Sequence, residues 1–368
     1  MFILKSGIGN YINLSGKKYS YFAGNNYLGL ANHPAVKKEV ISSIEKYGIN
    51  FSASRETTGT SELHLELEKL LAEFKNKDDS VVFASGYMGN KILLQALQDQ
   101  YSAVFTDESA HPSIVDGISS DISNVYFYNH CNAEHLETLL KKNNNYKPLI
   151  ITDGIFALTG EIAPLDKIYP LAKKYNAILV VDDAHATGIL GENGRGTPEH
   201  FQLDDAENIF QSETMSKALG AYGGFISATK EIITKIRKKS SVYIGSTALP
   251  PPVVSAGCSS IKILKQHPEL RSRLLENERY IRDEIIGMNF STTTENTPII
   301  PIFLNSKENA NKLSGYLHEN YIIAPHIEYP VKMDKFLVRI TVSAIHTKDQ
   351  VEQLLEHLKK WRDKYGID

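Results

Sequence analysis

The stretch PLIITDGIFALTGEIAPLDKIYPLAKKYNAILVVDDAH (148–185) decides the fold. Its two ends, PLIITDGIF (148–156) and AILVVDDAH (177–185), are short runs rich in Val, Ile, Leu and Phe that finish on small or polar residues, the pattern of buried strands. Between them, 165–175 has a helical pattern. A strand, a helix and a second strand at this spacing predict a parallel pair joined by a crossover. The same alternation continues on both sides. SVVFASG (80–86), SAVFTDE (102–108) and NVYFYN (124–129) precede it, and NIFQSET (208–214) and GGFISAT (223–229) follow. Helix-like pieces at 87–99, 112–118, 133–142 and 230–239 lie among them. The expectation is an α/β domain with a mainly parallel central sheet covered by helices on both faces. In such sheets, ligands bind beyond the carboxyl ends of the strands.

Upstream, Ser61 and Glu62 open a helical pattern carrying Leu63, Leu67, Leu70, Leu71 and Phe74. Downstream, the charged helical segment 267–287 reads as a connector. After it come TPIIPIFL (297–304), a helix over 306–319, NYIIAPHIEYP (320–330) and FLVRITVSAIH (336–346). A last helix aligns Val351, Leu354, Leu355, Leu358 and Trp361 on one face, closing a smaller α+β unit. The expected division is an N-terminal segment 1–50, a large domain 51–265, and a connector helix with a small C-terminal domain over 266–368.

Composition bounds the function. The 368 residues are 42% hydrophobic and 23% charged, an ordinary globular balance. A net charge of −3 argues against a nucleic-acid binder held by bulk charge. Two cysteines, Cys131 and Cys258, make no disulfide framework, so the expected setting is a reduced cytoplasm. No uncharged apolar run approaches the ~20 residues that span a bilayer.

Four segments at expected strand ends carry candidate chemistry. In QSETMSKALGAYGGF (211–225), a strand ends on hydroxyl residues, then Lys217, then small residues and glycines. Close backbone approach suits a phosphate, and the lysine suits an imine link to pyridoxal phosphate. A surface lysine in a glycine-rich loop is the plain alternative. In ILVVDDAHATGILGENGRG (178–196), strand alternation turns Asp182 and Asp183 to opposite faces. A carboxylate at a buried strand end needs a partner, and a protonated pyridine nitrogen is a suitable one. His185 is placed to hydrogen-bond a ring hydroxyl. A structural cap is the alternative reading of the aspartate; a metal site lacks a further local His or Cys ligand, so none is expected. In DESAHPSIVDGI (107–118), His111 opens a helix through Pro112; a lone histidine is usually structural. In FASGYMGN (83–90), a strand runs through Ser85, Gly86 and Tyr87 into a helix whose first amides suit a phosphate.

Taken in order, these segments resemble the α-oxoamine synthases, a group of fold-type-I pyridoxal-phosphate enzymes. AGNNYLGLANHP (23–34), SRETTGTSELHLELEKLLAEF (54–74), ASGYMGN, SAHPSI, TDGIF with GEIAPL, VDDAHATG with GRG, TMSKALGAYGG, GSTALPP (245–251) and LVRITVSAIHT (337–347) carry the resemblance over nearly the whole chain. It implies a homodimer with shared active sites. It also implies decarboxylative condensation of a small amino acid with an acyl thioester, on coenzyme A or an acyl-carrier protein, to give an α-amino ketone. By the same resemblance, Lys217 forms the imine with the cofactor and removes the α-proton, Asp182 pairs with the pyridinium nitrogen, and His185 contacts the ring hydroxyl. His111 stacks on the ring and polarises the acyl carbonyl. Gly86, Tyr87 and Thr214 match cofactor contacts, while Ser246 and Thr247 match a segment reaching the partner's phosphate. Asn25 and Arg339 match residues that engage the amino-acid carboxylate. Ala157 stands where the family has a serine, and the usual N-terminal helical extension is short or absent. NNYLGLANHP and GENGRGTPE lean to the glycine C-acetyltransferase type. GSTALPP leans to the oxononanoate or sphingolipid types, and SETMSKALGAYGGF to the serine palmitoyltransferase type. The oxononanoate-synthase type is placed slightly ahead. An aminotransferase or lyase on the same fold and a cofactor-free scaffold are the other readings.

Overall fold

Alternate residues of the buried strands feed two separate cores, which is what turns these apolar runs into a layered sheet. The computed structural model describes residues 3–328 and 335–366. In chain order the strands are β1 (Tyr11–Leu14), β2 (Lys17–Tyr21), β3 (Asp79–Phe83), β4 (Ala103–Asp107), β5 (Val125–Tyr128) and β6 (Pro148–Asp153). They continue with β7 (Ile178–Asp182), β8 (Ile209–Thr214), β9 (Gly224–Ala228), β10 (Ile299–Leu304), β11 (Ile322–Ile323) and β12 (Phe336–Thr341).

The chain forms two compact units. The larger, Pro34–Phe156 with Ile162–Ile263, holds a seven-stranded sheet in the order β3-β9-β8-β7-β6-β4-β5. Strands β4 to β8 pair in parallel, and β9 runs antiparallel to both β8 and β3. Val104, Leu149, Ile151, Ile178 and Val180 join one core with Ile92, Leu93 and Ile233. Phe105, Ile150, Leu179 and Val181 join the other with Leu136, Leu165 and Ile168. The period of two thus distributes each strand between two helical layers. The expected α/β architecture, with its mainly parallel sheet, is what the chain adopts.

All seven strands lie where the apolar runs placed them, but shorter. The run 177–185 leaves the sheet after Asp182, and helix 112–118 stops at Val115. Helices Pro34–Tyr47 and Pro251–Gln266 complete this part of the chain.

The smaller unit is assembled from Met1–His33, Ala157–Glu161 and Leu264–Asp368. Here β1 and β2 form a hairpin, and β11 adds to β2 in parallel; β10 and β12 form a second, antiparallel pair. Ile12, Leu14, Tyr19 and Ile323 are buried together. Helices Glu269–Gly287, Lys307–Glu319 and Lys348–Tyr365 belong to this part of the chain. The last two residues of the strand-like run 320–330 lie outside the described residues.

Candidate active site

Register places one face of the large sheet's carboxyl edge in order. Asp182 lies beside Ser212 on β8 and beside Asp153 on β6. Its Oδ2 accepts from Asn90 Nδ2 at 2.7 Å and Ser113 Oγ at 3.4 Å, and its Oδ1 accepts from the Ala184 amide at 3.2 Å. These donors are neutral, so they orient the carboxylate without cancelling its charge. Asp183 faces the other way and is saturated by the Thr197 hydroxyl (2.6 Å), the Thr197 amide (2.9 Å) and Gln211 Nε2 (2.6 Å). The alternation expected for this pair is what the strand produces.

His111 caps the short helix Pro112–Val115. Its Nδ1 lies 2.8 Å from Ser113 Oγ, and its backbone amide donates to Asp153 Oδ2 at 2.8 Å. Burial disfavours its protonation, the Asp182 charge opposes that effect, and Lys217 adds to it. Asp153 is buried between these groups; burial and the Asp182 charge push its carboxyl well above the usual range, while Lys217 pulls it down. Mutual electrostatics therefore bring Asp182, His111, Asp153 and Lys217 into one cluster. His185 is buried three residues beyond Asp182. Tyr87 sets its ring edge-on to His111, with centroids 5.9 Å apart, and its hydroxyl donates to Asp116.

Lys217 sits in a loop pinned at both ends. The Met215 amide donates to Gly223 O at 2.9 Å, and the Gly220 amide donates to Lys217 O at 2.9 Å. Thr214 Oγ1 donates to Gly223 O at 2.9 Å and accepts from the Ser216 amide at 3.1 Å. Here backbones crowd: a Cβ on Gly224 would lie 2.8 Å from Gly86 Cα, and one on Gly86 would lie 2.7 Å from Thr214 Cβ. Only glycine permits that approach. The Ser212 hydroxyl beside Asp182 is buried with no partner among the described residues. An anionic carboxylate held by neutral donors, an unanswered hydroxyl and a side-chain-free glycine cradle fit a flat cationic ring with a phosphate.

Ser246 and Thr247 are placed separately. Ser246 Oγ donates to Val242 O at 2.5 Å, and Thr247, exposed, bridges Ser54. Among the described residues, no hydrogen bond of theirs joins the Asp182 cluster. In the smaller unit, Arg339 on β12 donates from Nη2 to Asn25 Oδ1 at 3.1 Å and from Nη1 to Thr341 Oγ1 at 3.0 Å. Among the described residues its buried Nε has no hydrogen-bond partner, a donor suited to an added carboxylate. Tyr27, hydrogen-bonded to Asn25 at 3.2 Å, has its hydroxyl pushed up to about 12 by burial. Ala157 begins the short piece of chain that belongs with this unit.

Asn90, Ser113 and Asp153 are not singled out by the sequence, whereas Ser212 is among the hydroxyl residues that precede Lys217. Asn90 lies one helical turn past Gly86 in GYMGN, Ser113 lies two residues past His111, and Ser212 sits in the lysine segment. Each was inside a segment already quoted; what identifies them is register and distance, which a single sequence does not show.

The aminotransferase class I and II family matches residues 17–358. The 8-amino-7-oxononanoate synthase of Thermoanaerobacter pseudethanolicus is 39% identical over 97% of this chain and 91% of its own length. 8-Amino-7-oxononanoate synthase 1 of Bacillus subtilis is 38% identical, again over 97% of this chain and 91% of its own. Among solved structures, a serine palmitoyltransferase variant from S. paucimobilis with a bound PLP–myriocin aldimine superposes with a TM-score of 0.94 at 28% identity, covering 100% of this chain and 94% of that one. An 8-amino-7-oxononanoate synthase from Francisella tularensis gives 0.80 at 27% identity, covering 94% and 98%. The chain belongs to the aminotransferase class I and II family, in its α-oxoamine synthase group.

Proposed function

We propose that this chain is an 8-amino-7-oxononanoate-synthase-type condensing enzyme, joining a small amino acid to an acyl thioester with loss of carbon dioxide. The observation that carries the reading is the pairing of a near-full-length 39% match to such a synthase with a buried Asp182 carboxylate whose donors are neutral. The cofactor is pyridoxal 5′-phosphate, which when bound supplies a cationic ring that accepts the electron pair left by a departing α-proton.

The chain's own groups have distinct roles in this reading. Lys217 would hold the cofactor covalently at rest, and its Nζ, freed as an amine when the amino acid takes its place, would accept the α-proton. Asp182, fixed by Asn90 and Ser113, keeps a proton on the pyridine nitrogen by its charge. His185 donates or accepts at the ring hydroxyl. His111, kept neutral by burial and anchored through Nδ1, presents its ring to the acyl carbonyl. Gly86 and Tyr87 would form the turn beside the cofactor, and Thr214 would contact its phosphate. Ser246 and Thr247, on an exposed segment, serve the phosphate of the partner in a homodimer with shared sites. Arg339 and Asn25 bind the substrate carboxylate. A reduced cytoplasmic setting is consistent with two thiol cysteines, and among the described residues no helix is long and apolar enough to cross a membrane.

8-Amino-7-oxononanoate bears its amine on the penultimate carbon, so alanine supplies that end and a dicarboxylic monothioester the rest. The test is a matrix of L-alanine, glycine and L-serine against short, long and dicarboxylic acyl thioesters, reading released carbon dioxide. Alanine with the dicarboxylic thioester should dominate. The higher superposition on the serine palmitoyltransferase favours serine with a long acyl chain as the second reading, and dominance of that pair would replace the first. Keto-acid-dependent amino transfer without carbon dioxide would overturn both.

A further inference from the structure

A second cluster of chemically capable side chains stands at the neighbouring strand ends, and neither the cofactor reading nor the condensation uses it. Asp107 ends β4 opposite Tyr128, the last residue of β5. Three residues later, Cys131 adopts a left-handed backbone with φ 53°, a conformation few residues other than glycine and asparagine accept. The Cys131 amide donates to Asp107 Oδ2 at 2.8 Å, which fixes that turn. His130 Nδ1 lies 2.9 Å from Asp107 Oδ1, and His130 Nε2 lies 3.8 Å from Cys131 Sγ. Phe156 meets the imidazole edge-on, with centroids 4.3 Å apart.

Asp107 is buried and its carboxylate can only accept, so the proton between it and His130 sits on Nδ1. With Nδ1 carrying that proton, the imidazole in its neutral form turns an accepting Nε2 toward the sulfur. A thiol, a base and a carboxylate that orients the base form a line in which each member is within hydrogen-bond reach of the next. The ligand atoms of the three lie within 4.8 Å of one another. However, the Asp107 oxygens already serve His130 and the amides of Ser109 and Cys131, which favours a proton relay over a metal centre.

We propose that Cys131 is a reactive thiol, activated by His130 under the orienting hold of Asp107, and that it exchanges with low-molecular-weight disulfides. In the exchange, the thiol proton moves to His130 Nε2 and the Cys131 sulfur attacks one sulfur of the disulfide. The disulfide's S–S bond breaks, a new S–S bond to Cys131 forms, and the departing thiolate takes the proton from His130. No further oxidant is needed, because the incoming disulfide is reduced as Cys131 is oxidised. Cys258 provides a control within the same chain: it is buried, and burial pushes its thiol up to about 12.

The test treats the cofactor-loaded protein at neutral pH with the aryl disulfide dithiobis(nitrobenzoate) and follows the released coloured thiolate. One thiol per chain should react in a fast phase, mapped to Cys131 by peptide mass. It should react at least ~10-fold faster than the thiols of the same chain unfolded in urea. Glutathione disulfide should add one glutathione at the same position, removable by dithiothreitol. Cys131→Ser should abolish the fast phase, and His130→Gln should slow it by ~10-fold or more. The His130 result separates activation from shielding, because removing a merely covering side chain would speed the reaction. A faster or unchanged His130→Gln variant, label on Cys258, or a folded chain no faster than the unfolded one would each overturn the proposal; the last comparison needs no variant to fold.

Discussion

Asp182 and Asp183 are sequence neighbours, both buried at the end of β7, yet they face two different kinds of chemistry. On the Asp182 face, the carboxylate meets Asn90, Ser113 and a backbone amide, beside a glycine cradle and Lys217. On the Asp183 face, Thr197 and Gln211 saturate the carboxylate, and the adjoining Glu213 of β8 forms a buried ion pair with Lys75, which also donates to Arg195 O. The first face holds charge in position and leaves it for a ligand to answer; the second answers its charges internally and braces two strand ends. One residue of strand alternation separates the proposed binding surface from a support.

The largest expected effect falls on the first face. Lys217→Ala should lower condensation by the upper end of the ~10²–10⁴-fold that a positioned proton-transfer group supplies. Borohydride reduction and peptide mapping of the unaltered protein should place the pyridoxyl group on Lys217; a label on another lysine removes it from this role.

Next comes the brace. Lys75→Met strands Glu213 and should destabilise the protein by ~3–5 kcal/mol, read from urea unfolding, with little change in α-proton exchange per folded molecule. A variant as stable as the parent would show that the buried pair supports nothing. Asp182→Asn should slow exchange of the amino acid's α-proton for deuterium, followed by proton NMR without thioester, by ~10²-fold. Asp183→Asn should slow it far less and instead reduce stability. Equal losses in the two variants would erase the distinction between the faces.

The smallest effect is a slope. Burial, opposed by Lys75, raises the Glu213 carboxyl to about 7 from its usual 4.5. The folded chain therefore binds more protons than the unfolded one in that window, so this contribution is full below about 4.5 and is lost as pH rises through about 7. His64 acts with the opposite sign: burial lowers it to about 4, so its contribution grows as pH rises from there to 6.5. Comparing Glu213→Gln with the parent isolates the carboxyl: the variant should lack the decline between 4.5 and 7. Parallel curves for the two proteins would mean that Glu213 does not titrate in that window.

Much of the larger unit was legible because its strands are continuous apolar runs whose ends carry the chemistry. The antiparallel turn of β9 was not, since periodicity reports burial and is silent on direction. The hairpin of the smaller unit was passed over because KKYSY in β2 begins with two lysines and has little apolar character. The Ser15–Gly16 dipeptide is a local turn signal, and its positive φ values, 50° and 81°, supply the twist of a two-residue hairpin turn. The pairing of β2 with β11, by contrast, joins Ser20 to Ile322 and leaves no trace in either segment. In the site, motif matching reached the groups proposed to touch a cofactor but not the ones that hold those groups. Asn90 and Ser113 are found from Asp182 only once three chain segments meet.

That same β2–β11 pairing sets a timetable for the chain as it is made. Some three hundred residues separate Ser20 from Ile322, so a ribosome working at roughly 5–20 residues per second delivers the second strand roughly 15–60 s after the first. The β1–β2 hairpin closes locally on the order of microseconds, and through that interval one edge of β2 waits without its mate. Lys17 and Lys18, both exposed on β2, put positive charge along that edge. Charge there repels another nascent copy reaching for the same unpaired groups, so two residues peripheral to catalysis guard the growing polypeptide against sticking to its siblings.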